Sequence, residues 1–454
     1  AEDGIRDMPT GLVGSEMCIR DRFRADNGVV DFQDDDCIGC KACMNACPYD
    51  ALYINPATNT ANKCNFCNHR VEVGLEPSCV VVCPTEAIKV VDLDDPADPV
   101  NRIIARDDVA VRAPEQNTKP KVYYRGADQA SLDPTRTAIA PDGMIWADTT
   151  DAHPTTPTTD AEDHGIVART AYTTAHGSTW DRFVSGYLLT KAIAGGVMIM
   201  AALMVLLGHA DDRGGVGVLP PVVAGVFLAA TAVLLVGDLK QPRRFLYLLT
   251  RPHWASWLVK GAIVLGAFAL GCAAWFVAGA AEIDRGVQVL ALPVALLGAA
   301  TAGYTAFLFG QCEGRDVWQT PLLLPMLLAR AVVAGAAAYA IADVFLKVRS
   351  PEAVWWSMLG GVGVVALLTW AELASHGSRH VELAVRAMTR GAHATWFWSG
   401  LLVGVLVPAV LLTIALAVDT GSPALAGLAG LSALAGIFLS ETAFVRAGQS
   451  VPLS

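Results

Sequence analysis

The sequence predicts a multi-domain chain: a small cysteine-rich α+β domain, then an all-α bundle of eight membrane-spanning helices. Three observations carry this. Nine of the eleven cysteines fall before residue 84, in closely spaced groups. From residue 183 to residue 447 the chain is a series of long apolar runs separated by short loops. Between Thr179 and Asp181 the composition changes from polar and acidic to apolar. In total 53% of residues are hydrophobic and only 17% are charged, against about 25% in an ordinary soluble domain. The net charge of -10 argues against a nucleic-acid partner, because neutralising phosphates requires basic surface. The acidity lies mostly in the first part, where it faces solvent or a soluble partner.

The first element is the run Cys37-x2-Cys40-x2-Cys43-x3-Cys47-Pro48. This is the bacterial ferredoxin spacing: three thiolates two residues apart wrap one corner of an iron–sulfur cube, and the fourth cysteine, turned by its proline, reaches a neighbouring cluster. A second group follows as Cys64-x2-Cys67-x11-Cys79-x3-Cys83-Pro84. Two CxxC pairs alone would also suit zinc, but the full first run does not, and cysteines two residues apart do not form a disulfide framework. The expectation is a ferredoxin-like α+β iron–sulfur domain over residues 1–90 with two [4Fe–4S] clusters. In an isolated two-cluster ferredoxin, Cys37, Cys40, Cys43 and Cys83 would hold one cluster, and Cys47, Cys64, Cys67 and Cys79 the other. Asn68 stands where a c-type haem attachment needs histidine, so His69 reads as a surface donor or a donor close to a cluster. Cys272 and Cys312 read as small buried residues. The opening residues 1–24 have no clear pattern and hold no apolar stretch of signal-peptide type; either this start is truncated or the chain has a reduced two-cluster form.

Residues 91–180 carry little periodicity and read as an extended linker or docking segment. Its acidic DLDDPADP (92–99) and the Pro, Thr and Asp-rich HPTTPTTDAEDHG (153–165) have linker composition. VYYR at 122–125 reads as a short strand or a docking element.

The membrane domain occupies 181–454. A spanning helix needs about 20 apolar residues, and eight candidates run over 183–208, 216–237, 257–280, 287–309, 321–345, 354–373, 396–418 and 424–445. Abundant Gly and Ala suit close helix packing in lipid. Arg182, Lys240, Arg243, Arg244, Arg251, Arg315, Arg379, Arg386, Arg390 and Arg446 fall on the side of the termini; only Arg213, Arg285, Lys347 and Arg349 fall opposite. By the positive-inside rule both termini, and with them the iron–sulfur domain, face the cytoplasm of a multi-pass cytoplasmic-membrane protein.

Polar residues inside apolar helices are costly and usually functional, or else pair helices. Tyr187 and Lys191 share a face of the first span, being four residues apart. Asp238 closes the second, Tyr304 lies in the fourth, Arg330 and Asp343 in the fifth, and Glu441 late in the eighth. Glu372 and His376 form another four-residue pair at the end of the sixth. Tyrosine and histidine suit a quinone carbonyl, and carboxylates suit a proton route.

Residues 37–88 resemble the electron-transfer subunits of molybdopterin oxidoreductases, which include those of dimethyl sulfoxide, polysulfide and nitrate reductases. That family carries four cysteine groups, with groups one and four, and two and three, pairing. This chain has the last two groups. The resemblance implies a place for Cys18 near the last ligand of group two and, in a truncated chain, as fourth ligand beside Cys37, Cys40 and Cys43. The membrane part resembles the polysulfide reductase membrane subunit family of NrfD/PsrC type, through HGSTWDRFVSGYLLTKAIAGG (176–196), GDLKQPRRFLYLLTRPHWASW (237–257) and GYTAFLFG (303–310). It implies a menaquinone or ubiquinone site without haem, with Tyr304, Tyr187 and His176 on the quinone side; Lys191, Glu372 and His376 are further candidates from their place in or at the ends of apolar helices. It also implies a separate molybdopterin-containing catalytic subunit. The expected function is electron transfer between that subunit and the quinone pool. The alternatives are a redox-driven proton pump or transporter subunit, and an inactive membrane anchor.

Overall fold

The computed structural model describes residues 22–24, 30–135, 178–375, 377–417 and 422–453. The chain divides into two compact units. The first takes residues up to His176 together with Cys312–Gly314 and Pro452–Ser454; the second takes Gly177–Gln311 and Arg315–Val451.

Among its described residues the first unit holds three antiparallel hairpins: β1 (Arg22–Arg24) with β2 (Val30–Phe32), β3 (Tyr53–Ile54) with β4 (Ala61–Asn62), and β5 (Val109–Ala110) with β6 (Tyr124–Arg125). Tyr53 stands opposite Asn62, and Val109 opposite Arg125. Short helices lie between the strands: α1 (Ala42–Ala46), α2 (Asn68–Val71), α3 (Ser78–Val81) and α4 (Pro99–Arg106). This is the mixed α/β, ferredoxin-like region that the cysteine spacing predicts. Its core is small: Phe32, Ile38, Ala42, Ala46, Leu52 and Ala61 are buried. A domain this size with so few apolar contacts relies on a further staple, commonly a metal centre. In the 91–135 stretch α4 begins where Asp98 Oδ1 accepts the Val100 amide at 2.8 Å, with Pro99 in the first turn. The VYYR segment supplies β6. The run at 153–165 lies outside the described residues.

The second unit is a helical bundle with eight helices long and apolar enough to span a membrane, covering Arg182–Leu206, Arg213–Asp238, Trp257–Ala280, Asp284–Gly310, Leu323–Leu346, Pro351–Ala374, Ala394–Ala417 and Pro423–Ser450. The first, α5 (Arg182–Leu206), packs against α6 (Leu219–Asp238), α9 (Asp284–Gly310), α10 (Leu323–Leu346) and α15 (Pro423–Ser450). The most apolar stretch of α5 is 72% buried and that of α10 61%, against 22–39% for the other six. These two helices therefore form the centre, and the rest present a flank to lipid. Glycine permits the central contact: a Cβ on Gly196 would collide with the Ala331 carbonyl of α10, and one on Gly335 with the backbone of Gly196. Between α6 and α9 the chain passes through the one-turn α7 (Tyr247–Thr250) and the span α8 (Trp257–Ala280). After α11 (Pro351–Ala374), the amphipathic α12 (Arg379–Thr389) precedes the seventh span, which is α13 (Ala394–Leu401) and α14 (Val407–Ala417) joined by a π-helical turn at Leu402–Leu406.

Proline explains both departures from α-helix. The second span opens with a π-helical turn, Arg213–Val218, just before Pro220 and Pro221. Neither proline has an N–H, so carbonyls one turn back lose their helical partners. The indole Nε1 of Trp275 donates to the Val216 carbonyl at 2.9 Å, and the Tyr339 hydroxyl donates to that of Gly215 at 3.1 Å. In the seventh span the π turn ends two residues before Pro408, and Gly404 within it lies against Gly436 of α15.

The two ends of the bundle are clasped together. Gln449 Oε1 accepts the amides of Thr179 at 2.8 Å and Trp180 at 2.9 Å, its Nε2 donates to the Trp180 carbonyl at 2.8 Å, and Arg446 pairs with Asp181 at 2.7 Å. The hydrogen bond from Arg446 holds the Asp181 carboxyl below the ordinary carboxylate range.

Two outcomes follow. Trp275→Phe keeps the packing but strands the Val216 carbonyl, and should cost about 1–3 kcal/mol, read as a lower detergent-resistant melting temperature. Asp181→Asn should cost no more than about 1 kcal/mol at neutral pH, because the pair is partly exposed and screened. A depressed folded-state pKa gives stability that is full above the ordinary carboxylate value and is lost as pH falls through the depressed one. The difference between wild type and D181N should therefore close on acidification; a gap that widens would contradict the pairing.

Candidate functional site

The first unit carries eight cysteine thiols in two sets. Cys37 and Cys43 are buried, Cys40 and Cys47 partly so; Cys64 and Cys79 are exposed, Cys67 and Cys83 partly so. The loops that carry them use left-handed backbone to turn successive thiols: Gly39 has φ 68° and Lys41 φ 63° inside the first run, and Phe66 and Cys67 have φ 60° and 50° in the second. Gly39 adopts this conformation without the cost that a Cβ imposes. Backbone amides point at sulfur, as a thiolate-rich centre requires: Ala61 N–H to Cys37 Sγ at 3.4 Å, and Ala87 N–H to Cys83 Sγ at 3.2 Å. The Ser78 amide and hydroxyl hold the Cys67 thiol below its ordinary pKa, and the Ile88 amide does so for Cys83; burial pushes the Cys47 thiol up.

Among the described residues no three His, Cys, Asp or Glu side chains converge as they would around one metal ion. The CxxCxxCxxxCP spacing of the first set fits clusters better than zinc. Cys18 lies outside the described residues.

In the second unit the structure brings three of the expected residues together. Lys191 of α5 is fully buried; its Nζ donates to Thr305 Oγ1 of α9 and lies 4.7 Å from the centre of the Tyr304 ring and 5.9 Å from that of Tyr187. Tyr304 and Tyr187 are 4% and 3% exposed. The Tyr304 ring packs on Gly261 of α8, where any Cβ would overlap it. One turn earlier on the same face of α9, the Thr301 hydroxyl is buried and has no hydrogen-bond partner among the described residues. Such an orphan costs free energy unless a ligand or water completes it. Thr305, Thr301 and Gly261 are the members that sequence reasoning missed. Thr305 stood in view inside GYTAFLFG, but threonine is common in spanning helices, so only its packing against Lys191 singles it out.

The other candidates are distributed elsewhere. Glu372 lines a separate cavity of about 30 Å³ with Arg330, Thr369, Phe397 and Ser440. Helix α11 ends at Ala374, where the Ser375 amide returns to the Ala371 carbonyl; the helix thus stops before His376, which lies outside the described residues. His176 also lies outside them. Arg330 pairs with Glu441 at 2.8 Å. Asp343 lies about 20 Å further along α10 at helical rise, and its Oδ1 accepts the Val348 amide at 2.8 Å, closing that helix end.

Comparison with known proteins agrees with this division. Residues 171–452 match the family described as "Polysulphide reductase, NrfD", and residues 16–93 match "4Fe-4S dicluster domain". Among individual relatives, a tetrathionate reductase subunit of Salmonella typhimurium is 41% identical over 126 residues, 27% of this chain and 50% of that protein. A polysulfide reductase component of Wolinella succinogenes is 40% identical over 99 residues, 22% of this chain and 52% of the other. The thiosulfate reductase electron transfer subunit PhsB of Salmonella typhi is 47% identical over 74 residues, 16% and 38% of the two chains. The chain spans about half the length of the curated relatives it matches. Because the membrane match extends over more than half of its residues, the chain belongs to the polysulphide reductase NrfD family, with a 4Fe-4S dicluster domain fused ahead of the membrane bundle.

Proposed function

We propose that this chain passes electrons between a separate molybdopterin-containing catalytic subunit and a quinone, menaquinone or ubiquinone, in the cytoplasmic membrane. The observation that carries this reading is the presence, on one polypeptide, of two cysteine sets suited to clusters and a buried Lys191–Thr305–Tyr304 nest with an unsatisfied Thr301 hydroxyl. Each set of four thiolates would hold one [4Fe–4S] cluster, which supplies one-electron transfer when bound. The catalytic subunit docks over the second set, where Cys64 and Cys79 are exposed beside the apolar Phe66, Val81 and Val82.

In the bundle, the Tyr304 hydroxyl donates a hydrogen bond to a quinone carbonyl, and Lys191 supplies a positive field that favours electron density on the ring. Tyr187 completes the aromatic wall. Reduction of a quinone needs two protons as well as two electrons, and Thr301 and Thr305 offer hydroxyls to carry water or a proton towards the carbonyls. The cavity beside Glu372 has room for about one water, not for a quinone headgroup. In this reading residues 1–90 are the iron–sulfur domain, 91–180 the connecting and docking segment, and 181–454 the membrane domain.

The termini and the iron–sulfur domain face the cytoplasm. The basic-residue bias, with Arg213, Arg285, Lys347 and Arg349 alone on the opposite side, supports this orientation.

Three measurements test the reading. Chemical analysis with low-temperature EPR should return about eight iron atoms per chain, four for each thiolate set; four or fewer would sink the two-cluster assignment. Reporter fusions at the C-terminus and in the 209–215 loop should give opposite signals, and an exported C-terminus would overturn the orientation. Tyr304→Phe removes one hydrogen bond worth about 0.5–1.5 kcal/mol and should weaken quinone affinity about threefold or more, while reduction by the catalytic partner stays intact. Reoxidation by a quinone analogue at the parental rate and affinity would make the tyrosine structural.

A further inference from the structure

Away from the Tyr304 nest, the bundle buries a second set of charges. Arg330 of α10 is 8% exposed and Glu441 of α15 is 2% exposed; they pair at 2.8 Å through Glu441 Oε1. The other carboxylate oxygen, Oε2, is buried with no hydrogen-bond partner among the described residues. Burying a carboxylate in an apolar bundle with one oxygen unsatisfied is expensive, and the usual remedies are a water or a proton.

The structure offers room for the first. A cavity of about 30 Å³ lies beside the pair, lined by Arg330, Glu372, Thr369 and Ser440 among apolar neighbours. That volume accommodates about one water with several polar partners around it. The Ser440 and Thr369 hydroxyls already bond carbonyls one turn back on their own helices, Gly436 and Val365, at 2.8 Å each, so each keeps lone pairs free to accept from a water.

Glu372 supplies the route for the second. It sits in the last turn of α11, half-buried, within electrostatic range of both Arg330 and Glu441. Among the described residues, Arg330 of α10 and Glu372 of α11 line the cavity, Glu441 of α15 pairs with Arg330, and Lys191 of α5 lies within electrostatic range of Glu441; α12, whose Met388 also lines the cavity, carries Arg379, His380, Glu382 and Arg386. The flanking α13 and α14, and the π turn between them, contribute no charged residue. Two carboxylates around one guanidinium in a dry site cannot both stay ionised cheaply, so the arrangement favours one shared proton.

We propose that Glu372, beside the Arg330–Glu441 pair and with one water in the cavity that Glu372 and Arg330 line, forms a proton-binding site. Glu372 at the helix end takes a proton from outside the bundle. Glu372 becomes a neutral carboxylic acid as the proton binds and returns to carboxylate as it leaves, while Arg330 stays paired with Glu441. No electron moves and no covalent bond other than O–H is made or broken. The ligand is the proton itself, and the site exists whether or not a quinone occupies the Tyr304 nest.

The test uses the full chain with its clusters, in lipid nanodiscs without added quinone. Infrared difference spectra between acidic and alkaline buffer should contain the C=O stretch of a buried carboxylic acid, shifted when water is replaced by D2O. Glu372→Gln should abolish or displace this band while iron content stays at the wild-type value. Glu372→Asp keeps a carboxyl and should move the band rather than remove it; it also serves if the glutamine variant accumulates poorly. Tyr304→Phe should leave the band in place, so failure of the quinone reading and failure of this one remain distinct. A wild-type spectrum without a deuterium-sensitive carboxylic band, or a band unmoved in both Glu372 variants, overturns the site.

Discussion

A single buried ammonium organises the centre of the bundle. Lys191 is fully buried in the most enclosed helix of the molecule. Moving such an ion into a medium of low dielectric costs of order 20 kcal/mol in the idealised limit and still several kcal/mol after relaxation. The chain offsets this with a hydroxyl from Thr305, the faces of Tyr304 and Tyr187, and the distant negative charge of Glu441. Ring contacts of this kind contribute about 0.5–2 kcal/mol each. Every partner comes from another element or another turn, so the charge is tolerable only when α5, α9 and α15 are assembled. A residue that would be a liability in any one helix thus specifies how three of them meet.

Close approach of the same helices is secured by absence of side chains. Gly195 of α5 faces Gly298 of α9, and Gly196 faces Gly335 of α10. Lipid tails provide no hydrophobic drive for helix association, so backbone-to-backbone packing and interhelical polar contacts carry it. The Lys191 contacts lie one turn from these glycines, where the helices are already held close.

Much of this was legible in the sequence. The cysteine spacing specified the chemistry of the first domain because a cluster tolerates few alternatives to CxxCxxCxxxCP. The eight spans were legible because a bilayer demands about 20 apolar residues in each, and their expected limits differ from the observed ones by a few residues. Tyr187 and Lys191 were paired correctly by helical period alone. Contacts between helices were not legible: nothing in a one-dimensional pattern says that Arg330 meets Glu441, 111 positions away, or that Asp343 is spent on closing its own helix. The Glu372–His376 pairing assumed that α11 continues, whereas Ser375 turns out of the helix with extended backbone. The π turns were equally hidden, since Pro220 and Pro408 announce a broken hydrogen bond but not which group repairs it.

The π turn at Leu402–Leu406 has a mechanical consequence. The inner helices, locked glycine against glycine, form a stiff keel with no slack for a side chain to swing. Across the keel, the seventh span carries a wound-in extra residue, and Gly404 within that turn lines the small cavity beside Arg330. An inserted residue of this kind is a store of local compliance, because the helix can shift its register by one carbonyl without breaking its ends. The turn therefore places local compliance beside Arg330 and Glu372.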